Sequence, residues 1–142
     1  MSSPILAPAA VLIAWSMIMW GWLLITRIGS FKSAGVDLKT AKKGARGSDL
    51  EAILPPEVMW KAHNYNHLME QPTLFYAVVM ILALSGFGDG LNAQLAWAYA
   101  GLRIAHSVWQ ATINTVPIRF LLFMLSSICL IALSVHAVMA TL

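Results

Sequence analysis

Apolar stretches of bilayer length alternate along the chain with short polar breaks. The first runs from Met1 to Thr26 without a charged side chain, and Ile5 to Thr26 would span roughly 33 Å as a helix, about one bilayer core. A helix is expected over about residues 5–28. No basic segment precedes it and no small-residue cleavage site follows, so it is expected to be a retained membrane helix, not a cleaved leader. Residues 29–56 then form a glycine-rich polar loop, with a short helix expected around Leu38–Lys43. Pro55 and Pro56 signal a new helix, with Glu57 in its first turn. That helix is expected over about 57–85. Gly86-Phe87-Gly88-Asp89-Gly90 reads as a tight turn. A third helix is expected over 91–116, broken by Pro117, and a fourth over 118–140. The expected fold is an all-α membrane protein, a four-transmembrane-helix bundle forming one domain over 1–142.

Composition agrees with that pattern. Hydrophobic residues make up 59% of the chain and charged residues 11%, where a soluble domain would have about a quarter charged. The single cysteine, Cys129, lies in an apolar run and forms no internal disulfide. A net charge of +3 raises the question of nucleic acid, but its placement answers it. Arg27, Lys32, Lys39, Lys42, Lys43, Arg46 and Lys61 gather around the first loop, whereas the 86–90 turn holds only Asp89. Basic residues favour the cytoplasmic side and anionic lipid. The first loop is therefore expected in the cytoplasm with both termini on the opposite face, and no nucleic acid is required.

Charged groups inside a membrane span are costly and usually face a bundle interior or a cavity. On the second helix, His63, Asn66 or His67, and Glu70 are spaced to share one side. On the third, Arg103, His106, Gln110 and Asn114 form a single stripe. Arg119 stands just past Pro117. His63 to Glu70, His106 to Asn114 and Arg119 fall in the cytoplasmic half and are expected to converge on one site. Arginines and a lysine bind carboxylates, while a glutamate and amides hold an ammonium group and peptide bonds. The set suits a small acidic zwitterion, and an arginine beside a thiol favours the thiolate. Two plainer roles stand beside this. Glu70 can pair with Arg103 to hold two helices together. His63, His67 and Glu70 have metal-ligand spacing, but with no second ligand cluster no metal is expected. There is no nucleotide-binding glycine loop, no G-x-S-x-G and no H-E-x-x-H.

Nearly the whole chain resembles the MAPEG superfamily, the membrane-associated proteins of eicosanoid and glutathione metabolism. The most specific likeness is Arg103-Ile-Ala-His106 followed by Val116-Pro117-Ile118-Arg119, similar to the microsomal prostaglandin E synthase branch. Asn64-Tyr-Asn66-His-Leu-Met-Glu70-Gln-Pro72-Thr-Leu-Phe75-Tyr resembles the family's second-helix signature, and the exact string resembles a bacterial subgroup. The resemblance implies a homotrimer in a bacterial inner membrane, with glutathione held between subunits and open to the cytoplasm. It implies that Arg119 stabilises the glutathione thiolate. His106, Asn66 and Glu70 match contact positions, and Arg27 matches a basic contact at the end of the first helix. Lys61, His63, His67, Arg103 and Gln110 complete the candidate binding set. The sequence departs from the family in three ways. It reads Lys61-Ala-His63-Asn64 where arginines are usual. Its asparagine–glutamate spacing is one residue longer, so His67 stands in for the asparagine. Gln110 and Phe123 occupy two tyrosine positions. The expected function is a glutathione transferase or peroxidase for lipophilic substrates. Its rival is a noncatalytic accessory subunit of a larger membrane assembly.

Overall fold

The computed structural model describes residues 2–142. Helix α1 covers Leu6–Ala34, past the end expected at residue 28. Its last turns are polar, yet Thr26 and Ser30 direct their hydroxyls back to the carbonyls of Trp22 and Thr26, at 2.9 and 2.8 Å. Local bonds of this kind keep such residues inside a helix. The helix stops at Gly35, which has φ +72° and so suits a residue without a Cβ.

No helix forms at Leu38–Lys43, contrary to expectation. Those residues make turns, with Asp37 Oδ1 accepting from the Lys39 N–H at 2.9 Å. The lysines and Ala41 there are exposed, so a helix would have no apolar face to bury. A 3-10 helix lies further on, at Gly47–Ala52, where Asp49 accepts from the Arg46 N–H at 2.8 Å.

The expected 57–85 helix is two helices, α2 over Pro56–Leu68 and α3 over Gln71–Leu84. Pro72 has no N–H for a carbonyl one turn back and breaks the ladder. The Thr73 hydroxyl bonds the Glu70 carbonyl at 2.7 Å and secures the new start. Helix α4 covers Gly90–Thr112 and α5 covers Val116–Thr141. The described residues therefore form five α-helices, not four. Helix α4 ends before residue 116 because Asn114 turns left-handed at φ +57°, its N–H bonded to the Trp109 carbonyl.

Helices α1, α2 and α4 pack on one another, while α5 lies against α4 and α3. The core between them holds Leu12, Phe75, Val79, Leu82, Tyr99 and Leu133, all fully buried. Phe75 stacks on Tyr99 at 4.3 Å between ring centres. Polar links cross the same core: Trp15 donates to Ser107 at 2.9 Å, and Tyr99 to Gln71 at 3.1 Å.

Among the described residues three stretches are long and apolar enough to cross a membrane: α1, the α2–α3 pair and α5. At one end of the bundle the segment before α1 packs on the 86–90 turn. The Ile5 N–H donates to the Gly88 carbonyl at 2.9 Å, and a side chain at Gly88 would collide with Ser3. The C-terminal turns of α5 reach that end too, through His136 and Asn92. The first loop and the α4–α5 junction occupy the other.

Candidate functional site

Two of the cavities at the loop end are lined by the candidate residues. The first, of about 410 Å³, is lined by His63 and His67 of α2, His106 and Gln110 of α4, and Arg119, Phe120 and Phe123 of α5. The stripe expected on the third helix forms because α4 winds Arg103, His106 and Gln110 onto its buried face. His106 and His67 face each other across the helix pair, with ring centres 4.8 Å apart. His67 is fixed by Glu70, whose carboxylate lies 3.2 Å from Nδ1. The Oε1 of Gln110 is buried and has no partner among the described residues.

Arg119 owes its position to the corner between α4 and α5. Pro117 presets the first turn of α5. The left-handed Asn114 then turns its Oδ1 back to accept from Arg119 Nη1 at 2.6 Å. One guanidinium nitrogen is spent on this tether, and the side chain remains at the cavity wall. The sequence pattern put Asn114 at the end of the polar stripe of the third helix but did not show that it would tether Arg119.

The second cavity, of about 520 Å³, lies between α1, the 3-10 helix and α2, and is lined by Arg27, Gly47, Glu51, His63 and Asn66 among others. A side chain at Gly47 would meet the Arg27 guanidinium at 2.8 Å. His63 lines both cavities and bonds Glu51 at 2.9 Å. Sequence reasoning missed Glu51, because nothing in the spacing brings the loop to α2.

The expected convergence on one site is thus only partly met within a single chain. His63, His67, His106, Gln110 and Arg119 come together, whereas Arg27 and Asn66 belong to the second cavity. Lys61 points to the α2 start, bonding the Glu57 carbonyl at 2.8 Å and lying 5.2 Å from the Trp22 ring centre. Glu70 is largely exposed and bonds His67, so the expected Glu70–Arg103 pair is not formed. Arg103 is fully buried, all three of its guanidinium nitrogens lacking partners among the described residues, and lies 5.9 Å from the Phe123 ring centre. Helical spacing put the two charges at the right depth but could not fix the rotation of Glu70 at the α2–α3 break.

A family model for the MAPEG family matches residues 5–139. The chain belongs to the MAPEG family. No curated protein and no solved structure gives a significant match. Within this MAPEG chain, the two positions where the resemblance leads one to expect tyrosine both line the first cavity. They present an amide, Gln110, and a bare ring, Phe123.

Proposed function

We propose that this MAPEG protein is a glutathione-binding membrane enzyme, a transferase or peroxidase for lipophilic substrates. The observation that supports this best is the 410 Å³ cavity with Arg119 on its wall. Its chemistry fits a small acidic zwitterion. Arg119 supplies a cation, the unpartnered Oε1 of Gln110 supplies an acceptor, and the imidazoles of His67 and His106 can donate or accept. Bound glutathione would contribute a thiol that, as thiolate, adds to an electrophilic carbon or reduces a peroxide.

The protein's part is to hold and polarise. Asn114 keeps Arg119 from swinging out to the headgroups, so its positive charge stays beside the position of the sulfur and favours the thiolate there. Glu70 orients His67, and His67 buttresses His106. Phe120 and Phe123 form an apolar wall on α5, past which a lipid-dissolved substrate would arrive. In this reading α4 is a fourth span, the first loop is cytoplasmic, both termini face the periplasm of a bacterial inner membrane, and three copies assemble. The bare ring of Phe123 favours the second reading, an accessory subunit that catalyses nothing.

Calorimetric titration with glutathione, together with the ultraviolet absorbance of bound thiolate, separates the two. The wild type is expected to bind and to show the thiolate band. Arg119→Leu should lose the band while binding weakens less, since His67, His106 and Gln110 remain. A wild type that neither binds nor shows the band would leave the accessory role.

A further inference from the structure

At the opposite end of the bundle from the candidate site, a histidine stands in the apolar C-terminal part of α5. His136 lines a cavity of about 240 Å³ with Phe87, Asn92, Met139 and Ala140. Its hydrogen bonds form a chain whose direction can be worked out. The Phe87 carbonyl can only accept, so the Asn92 group 2.9 Å from it must be the amide Nδ2. That places Asn92 Oδ1 toward the histidine, 2.6 Å from Nδ1. An amide oxygen cannot donate, so Nδ1 bears the proton. In the neutral ring Nε2 is then a lone-pair acceptor, and it has no partner among the described residues. The result is a small cavity with apolar walls, one of them aromatic, and an imidazole acceptor oriented by a neighbouring side chain. Binding sites for small molecules are built in this way.

We propose that this cavity binds a membrane-soluble phenol, its hydroxyl donating to Nε2 of His136 and its ring lying against Phe87. A hydrogen-bond donor is required because the acceptor is fixed by Asn92, and a hydroxyl supplies one. A phenol fits better than an aliphatic alcohol because its O–H is the stronger donor and Phe87 offers a ring face. The volume admits one aromatic ring with a short tail. Asn92 is a positioning residue, acting only through the tautomer it imposes. The site is independent of the glutathione reading, since no residue is shared between the two cavities.

The test uses the full chain in lipid nanodiscs, with para-pentylphenol, pentylbenzene and hexanol as probes. Nitrogen NMR of labelled histidine reads the Nε2 resonance of His136, assigned by its loss in His136→Phe. Para-pentylphenol is expected to shift that resonance saturably, pentylbenzene to leave it in place, and hexanol to act about tenfold more weakly. Asn92→Ala should weaken the phenol response about tenfold, which corresponds to about 1.4 kcal/mol. Equal responses to phenol and pentylbenzene, or an unmoved Nε2, would overturn the site. A response to hexanol as strong as that to the phenol would overturn the phenol and assign the cavity to hydroxylated lipid.

Discussion

At the scale of single residues, Arg103 departs furthest from what its sequence position suggests. Its spacing with His106 and Gln110 correctly placed it on the inward face of α4. The partner inferred for it did not follow, because Glu70 sits where the helix breaks and turns to His67. A buried charge without a partner costs several kcal/mol, and replacing buried ionic groups by apolar ones of similar volume is often stabilising. Arg103→Met is therefore expected to raise the stability of the ligand-free protein, by about 1–4 kcal/mol, read from denaturation in mild detergent. Glu70→Gln should change it little, as Glu70 is mostly exposed. A marked loss of stability in Arg103→Met would mean that the guanidinium has an anionic partner from outside the single chain.

At the scale of elements, the apolar runs marked where the long helices lie, although one run held two of them, and the glycine-rich turn fell where expected. What the pattern hid were interruptions made by one residue's backbone. Pro72 lies at the edge of a continuous apolar run, and the run disguised the break between α2 and α3. Asn114 looked like the tail of a helix but is its terminator. The corner it forms carries two separable effects, a left-handed backbone and the Arg119 tether. Glycine relieves the backbone and alanine does not, while both remove the tether. Asn114→Ala is expected to be less stable than Asn114→Gly by about 1 kcal/mol. The two should lose the thiolate absorbance of bound glutathione to the same degree. Equal stabilities would show that the backbone at residue 114 relaxes, and an intact thiolate signal in both would show that Arg119 needs no anchor.

At the scale of the whole molecule, the charge pattern and the contacts agree on two distinct ends, one with the basic loop and the α4–α5 corner, the other with the 86–90 turn. Cysteine labelling at Lys42 and Asp89 should therefore report opposite sides of the membrane, and labelling of both from one side would refute the arrangement. The sequence could not show that one chain leaves its polar lining partly open. His63, His67, His106, Gln110 and Arg119 line a cavity beside exposed Phe120, Leu121 and Met124 of α5. Polar walls facing hydrocarbon are costly, and protein neighbours are the usual way to cover them. A neighbouring copy would close the cavity and could bring the second cavity, with its Arg27 and Asn66, alongside the first. That would reunite the candidate residues which the single chain keeps apart. Native mass spectrometry in mild detergent should accordingly show three copies, and dilution to monomer should abolish glutathione binding. A monomer that binds glutathione as tightly as the assembly would show that the first cavity suffices alone and that Arg27 and Asn66 serve another purpose.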